Sequence, residues 1–283
     1  MLIRRIKKFI RQTKLGDLYV RSCGDWRYPF MSAAWRLADI LVPRRTVRVD
    51  GISFTLSVVN WVTHFRWYLF KKKESEIRYF IDKYVRDGDV FFDIGANVGV
   101  FSIYCAKRYS NVSVYSFEPE YSNLNHLKDN VIRNGLAEKI SIHSIAIGDF
   151  NGLSFLNMQD VTSGAAAHTE SKTPIKQTEE GFPVIFREGI SVVTLDHFCR
   201  QLGVIPHAMK IDTDGNEVNV LKGALSVLSD KRLRCVALER SPDNKKSHAC
   251  CEVLESFDFK LVWSEDKKTR NQIWEREALS KNL

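Results

Sequence analysis

The residues with the clearest chemical purpose form one run, Asp93-Ile94-Gly95-Ala96-Asn97-Val98-Gly99, set between the apolar stretch Val90-Phe91-Phe92 and a helical pattern that begins near Val98. Glycines at a strand-to-helix turn let the backbone bend sharply and let a ligand lie against it without Cβ obstruction. Free N–H groups of the helix's first turn point at the same place. The run is not a P-loop, because the Gly-Lys-Ser/Thr ending is absent, and Asn97 stands where a dinucleotide fingerprint has its second glycine. A nucleotide-type pocket follows, with the Asp93 carboxylate at the strand end. That charge suits a ligand bearing an ammonium group and repels a pyrophosphate. Nineteen residues after Gly99, Glu118 and Pro119 close the next apolar stretch, Val112 to Phe117. An acid there can accept hydrogen bonds from both hydroxyls of a ribose. Together the two acids describe a nucleoside that carries a positively charged amino-acid group.

The elements that must hold these residues alternate along the chain. Strand patterns at 90–94, 112–118, 140–145, 207–212 and 233–239 are interleaved with helical patterns at 98–109, 122–134, 218–229 and about 246–257. Repeated strand–helix–strand units call for a doubly wound α/β domain, a mostly parallel sheet with helices on both faces. Two late strands, 259–264 and 271–275, are separated by polar residues and are placed to close the sheet as an antiparallel hairpin. Ahead of the domain, period-two alternation around Asp50-Gly51 predicts a β-hairpin over 46–60, and Ile77, Phe80, Ile81, Tyr84 and Val85 mark a helix over 73–86. The stretch 157–189, with Ser163-Gly164 and Lys172-Thr173-Pro174, has weak periodicity and is long for a connection. It reads as a functional loop over the site, with a flexible linker as the alternative.

Composition narrows the class. Of 283 residues 44% are apolar and 27% charged, as in a folded globular protein, and no apolar run reaches the roughly 18 residues of a membrane-spanning helix. The N-terminus lacks the apolar core and small-residue cleavage site of a secretory signal, so a cytoplasmic protein is expected. The six cysteines show no Cys-x-x-Cys spacing, which favours buried reduced thiols. Net charge is +8, and residues 1–50 carry 12 Lys and Arg against 4 Asp and Glu, so the whole excess lies at the N-terminus. Such asymmetry speaks against a basic groove over the main domain. Residues 1–15 have the pattern of a basic amphipathic helix, which either lies in an anionic membrane surface or packs its apolar side on the domain. The expected division is an extension over 1–72, helix and hairpin, and a domain over 73–283.

Asp93–Gly99, Phe117-Glu118-Pro119, Asn130 to Gly135, Ala146-Ile147-Gly148-Asp149, Ser191 to Asp196 and above all Lys210 to Ala224 (KIDTDGNEVNVLKGA) resemble the FkbM-type S-adenosylmethionine-dependent methyltransferases. The resemblance runs from about Ile77 to Glu239 and implies a class I, Rossmann-like fold of seven strands with the last antiparallel. It also implies S-adenosyl-L-methionine as cofactor and methyl transfer to a hydroxyl, commonly on sugars or polyketide-like small molecules. Carried over, Asp93, Gly95, Ala96, Asn97 and Gly99 line the methionine and ribose side, Glu118 with Pro119 takes the ribose hydroxyls, and Ala146, Ile147 and Asp149 flank the adenine. Asp214 stands where Glu is more common in the family, and Asn216 where a larger or apolar residue is.

Methyl transfer needs alignment, and deprotonating a sugar-like hydroxyl needs a nearby base or metal. Asp212, at the end of the fourth strand, is the expected base or positioning carboxylate, with Lys210 on the same strand face and Glu239, Asp214 and Glu217 as further candidates. The alternative is that Asp212 and Asp214 cap the next helix. Asp212, Asp214 and Glu239 are hard oxygen ligands of the kind magnesium takes, but spacing does not establish a metal and none is assigned. His168, in the long loop, could be a mobile base, while His64, His143, His197 and His207 read as structural or exposed. The expected partner is a small-molecule or glycan acceptor rather than nucleic acid. A nucleic-acid methyltransferase is the alternative enzyme, disfavoured because Asp212-Thr213-Asp214-Gly215 replaces the Asn/Asp-Pro-Pro-aromatic segment of base-nitrogen enzymes. The alternative outside enzymes is a scaffold that keeps the fold, and the retained Asp93, Gly95, Gly99 and Glu118 argue against it.

Overall fold

Runs such as Val90-Phe91-Phe92 and Cys235-Val236-Ala237-Leu238 are apolar at successive positions, which in a strand places bulk on both faces of a sheet and demands cover on each. The computed structural model, which describes residues 44–70, 75–166, 168–178, 181–240, 244–264 and 271–276, meets that demand. Strands β1 (Arg44–Val49) and β2 (Ile52–Ser57) form the expected hairpin, with Asp50 and Gly51 at φ 51° and 77° as its tight turn requires. Helices α1 (Trp61–Leu69) and α2 (Ser75–Tyr84) lead into β3 (Val90–Ile94), α3 (Val100–Arg108), β4 (Ser113–Phe117), α4 (Tyr121–Arg133) and β5 (Ile140–His143). Next come β6 (Ala146–Ile147), β7 (Gly152–Met158), β8 (Thr169–Ser171) and β9 (Phe186–Val193). The chain continues through α5 (Leu195–Leu202), β10 (Ala208–Ile211), α6 (Glu217–Lys222), α7 (Leu225–Ser229), β11 (Cys235–Glu239), α8 (Asn244–Ser256), β12 (Phe259–Ser264) and β13 (Asn271–Arg276).

Seven strands make the main sheet in the order β12-β13-β11-β10-β3-β4-β5. Only β13 runs antiparallel to its neighbours. Strand order reverses between β3 and β10, and a crevice for ligands opens beyond the carboxyl ends of strands at such a reversal. The two faces of the sheet bury separate cores. Phe91, Ile103, Tyr104 and Phe80 pack on one side, and Phe92, Met209, Ile211, Leu228 and Trp274 on the other.

Four features differ from the sequence expectation. The hairpin grouped with the extension packs into the main core, where Val47, Phe54 and Leu56 are buried with residues of α2 and α3. Helix α1, with Asn60 as N-cap in a reciprocal capping box with Thr63, has no counterpart in the expected elements. The stretch 157–189 is not simply a loop, because β8 and the start of β9 lie in it and pair with β7 in a four-stranded sheet of order β6-β9-β7-β8. The helix expected over 218–229 is broken into α6 and α7 at Gly223-Ala224. The basic stretch 1–15 lies outside the described residues. No described helix is long and apolar enough to cross a membrane. Cys105, Cys199, Cys235 and Cys250 are buried free thiols and Cys251 is half-buried.

Candidate active site

At the reversal point a cavity of about 550 Å³ opens, floored by the loop after β3 and by the ends of β4, β10 and β11. Gly95, Ala96, Asn97, Glu118, Pro119, Ala146, Ile147, Lys210, Asp212 and Glu239 all line it. The sequence therefore brings most of its candidates to one place. Gly95 must be glycine twice over, since its φ is 76° and a Cβ there would sit 1.8 Å from the carbonyl oxygen of Asp212. This approach ties the glycine loop to the end of β10.

Three of the cofactor-binding candidates fall outside the cavity lining. Asp93 is buried, and register explains why: β10 sets Lys210 opposite Asp93, and β4 sets Ser116 on its other side. Lys210 Nζ donates to Asp93 Oδ1 at 3.0 Å, and Ser102 Oγ donates to Oδ2 at 2.6 Å while contacting Ser116 Oγ at 2.7 Å. Both carboxylate oxygens are thus engaged inside the protein, which overturns the expectation that Asp93 meets an ammonium group of the ligand. Gly99 is the N-cap of α3, where a Cβ would press within 2.2 Å of Leu127 Cδ1, so it serves the packing of α3 on α4. Asp149 is exposed.

Glu118 sits on the nucleoside side. It is buried, its Oε2 accepts from Asn97 N at 2.7 Å and its Oε1 from Glu120 N at 3.0 Å. Burial pushes its pKa up to about 7 against the pull of those donors. At neutral pH the group is poised to ionise when further donors reach it.

The acidic end lies across the glycine loop. Carboxylate oxygens of Asp212, Asp214 and Glu239 lie within 4.8 Å of one another, a set that could hold a hard divalent cation. Lys210 Nζ is 3.5 Å from Asp212 Oδ2 and also donates to Gly95 O at 3.1 Å. Burial opposes ionisation of Asp212, yet Lys210, a hydrogen bond with Glu239 and the charge of Arg66 hold it below the usual carboxylate range. Burial and the neighbouring Asp212 charge push Glu239 far in the other direction. The two neighbouring carboxyls are thus pushed apart, Asp212 toward the ionised form and Glu239 toward the protonated one. Neither Asp212 nor Asp214 caps α6: Glu217, buried, shapes the turn before it by accepting from Thr213 N, Thr213 Oγ1 and Gly215 N.

The rest of the wall comes from residues that the sequence left unassigned. Trp61, Phe65 and Arg66 of α1 line the cavity, as do Asp160, Gly164, Ala165, Ala166 and Glu170 from the stretch after β7. His168 joins them, and neither ring nitrogen has a hydrogen-bond partner. Burial lowers its pKa, so the ring is neutral. His143 instead stacks on Tyr115 and Phe117, and His207 Nδ1 accepts from Val90 N, both structural roles. For α1 the available signal was Asn60 three residues ahead of Thr63, a helix-starting pair.

A seven-stranded sheet in this order, with one antiparallel strand and a glycine loop at the reversal, is the class I methyltransferase fold. Residues 93–265 match the methyltransferase FkbM domain, and the chain belongs to that family. It is 33% identical over 69 residues to the 31-O-demethyl-FK506 methyltransferase FkbM of Streptomyces tacrolimicus, covering 24% of this chain and 26% of that protein. Over 147 residues it is 22% identical to methyltransferase 1 of Beauveria bassiana, covering 48% of this chain and 59% of that one. The matched stretches thus span between about a quarter and three fifths of these relatives. The crystal structure of methyltransferase FkbM from Methylobacillus flagellatus aligns at a TM-score of 0.46 and 16% identity, over 68% of this chain and 44% of that one.

Proposed function

We propose that the protein is an S-adenosylmethionine-dependent methyltransferase that methylates a hydroxyl oxygen on a sugar, a glycan or another small natural product. The observation that carries this reading is a cavity that joins a nucleoside-type end, Glu118 with Ala146 and Ile147, to the closely set carboxyls of Asp212 and Glu239. The cofactor fits the residues present. A loop without a Cβ at Gly95 gives it a surface to lie on, the buried Glu118 carboxylate suits ribose hydroxyls, and apolar Ala146 and Ile147 suit a flat base. The Streptomyces relative, by name a 31-O-demethyl-FK506 methyltransferase, supports an oxygen acceptor.

When bound, S-adenosylmethionine supplies a methyl group activated by its positive sulfur. The chain's own work is to hold the acceptor oxygen in line and to receive its proton. Asp212 is the residue that receives the proton, because it faces the cavity with 36% of its side chain exposed and Glu239 hydrogen-bonds to it. Lys210 is a positioning residue, since its ammonium is buried against Asp93 and Gly95 and holds Asp212 from behind. A screen of nucleotide sugars, glycans and hydroxylated polyketides, read by S-adenosylhomocysteine release and by the site of methylation, tests the reading. Asp212→Asn is expected to lower turnover by about 100-fold, with cofactor affinity kept within a few-fold. Methylation found on nitrogen or carbon, or an Asp212→Asn enzyme as fast as the wild type, would overturn it.

Glu118 gives the cofactor's affinity a pH dependence of known sign. Ribose hydroxyls donate to the ionised carboxylate, so binding favours the deprotonated form of a group whose pKa in the free protein is about 7. Affinity for S-adenosylhomocysteine should then rise roughly tenfold from pH 6 to pH 8, the change expected when only the ionised form binds well. Calorimetry across that range checks this, and Glu118→Gln should flatten the profile.

A further inference from the structure

Among the described residues two cations line the cavity, Lys210 and Arg66, and they are in different situations. The ammonium of Lys210 is spent on Asp93, Gly95 O and Asp212. Arg66, half-buried on α1, gives its Nε to Gly164 O at 2.5 Å. Among the described residues no carboxylate pairs with its guanidinium, and Nη1 and Nη2 have no partner. Its charge still reaches the cavity interior, where it favours ionised Asp212 and disfavours protonated His168. His168 is neutral, and the other titratable groups on the wall among the described residues, Glu118, Asp160, Glu170, Asp212, Asp214 and Glu239, are acids.

Position adds a second constraint. Three successive carbonyls after β7 are held by side chains: Ser163 O by Asn60 Nδ2 at 2.9 Å, Gly164 O by Arg66 Nε, and Ala165 O by Asn97 Nδ2 at 2.8 Å. Asn123 Oδ1 accepts from Gly164 N at 2.6 Å. One short strap therefore links Arg66 to Asn97 of the glycine loop and fixes the guanidinium beside it. Resting on the reading of this site as an S-adenosylmethionine site, we propose that Arg66 binds the carboxylate of the cofactor's amino-acid portion through Nη1 and Nη2. A carboxylate entering a wall of acids requires a counter-charge, and Arg66 is the cation whose donors remain open to supply one. Arg66 lies ahead of the family match at 93–265, so membership of the family does not assign it.

Calorimetric titration of the full chain with S-adenosylmethionine and with decarboxylated S-adenosylmethionine isolates the carboxylate. The wild type should prefer the intact cofactor by roughly 10- to 100-fold, the worth of hydrogen bonds to a charged group. Arg66→Gln should erase that preference, and Arg66→Lys, which keeps the charge without the fork, should retain part of it. A preference that persists in Arg66→Gln, or equal weakening of both ligands from a loosened strap, would overturn the assignment. A wild type that binds both ligands equally would do the same. Binding of neither by folded wild type would instead remove the cofactor reading on which the assignment rests.

Discussion

Replacing Lys210 by Met lowers the stability of the protein by about 3–5 kcal/mol, the cost of leaving one member of a buried ion pair without its partner. The side chains of Lys210 and Asp93 are only 3% and 1% exposed, so solvent cannot take over the lost interaction. Ser102 still donates to Asp93, but a neutral hydroxyl does not balance a buried charge. The expectation distinguishes an ion pair from ordinary packing, because Asp93→Asn in the same chain removes the orphaned charge. The double variant should recover most of the loss in a urea unfolding titration. A single variant within about 1 kcal/mol of the wild type would contradict the pairing, since that is the scale of an exposed salt bridge.

Gly95→Ala is the second large effect, and here the loss is of binding. The added methyl would lie 1.8 Å from the Asp212 carbonyl oxygen, a backbone atom that no rotamer change can move aside. The φ of 76° adds strain for any L side chain, of order 1–3 kcal/mol. To relieve the overlap, the glycine loop and the end of β10 must separate, and these are the two edges that Lys210 also bridges. Affinity for S-adenosylmethionine should fall by about 100-fold or more, since that separation displaces Asn97 and Asp212 together. Gly135→Ala is a useful comparison, because its added Cβ meets nothing within 4 Å although its φ is likewise positive, at 66°. Loss of affinity from Gly95→Ala alone would locate the effect in the approach to β10 rather than in backbone strain. Affinity within threefold of the wild type would show that the loop does not carry the cofactor.

What the sequence disclosed follows from how local each signal is. The glycine loop and Glu118 stand at strand ends a fixed distance apart, and strand ends of a parallel sheet converge, so their spacing alone placed them together. The antiparallel setting of β13 was legible in the polar break between the two late strands and in the resemblance to the family, whereas the order of the strands emerges only from their pairing. Asp93 was misjudged because its partner is 117 residues away and becomes a neighbour only through the register of β10 on β3. A carboxylate at a strand tip looks the same in sequence whether it faces a ligand or a lysine. Gly99 was misjudged for the converse reason: its neighbour is a side chain on the next helix, so it reads as a ligand glycine although it makes room for Leu127.

The second sheet escaped because its strands lack a readable period. β8 has three residues, none of them apolar, and β9 is exposed over most of its first half. Helix α1 escaped because aromatic residues dominate it, and Trp, Phe and Tyr suit strands at least as well as helices. Arg66 was hidden with it, and so was the arrangement in which α1 and the strap over 163–165 complete the cavity wall.

Whether the cavity takes the cofactor is decided by calorimetric titration of the full chain with S-adenosylmethionine. Saturable binding near one to one, removed by Gly95→Ala, is the expected result. Folded, monodisperse wild-type protein that shows no saturable binding, or a Gly95→Ala variant that binds as tightly as the wild type, would contradict it.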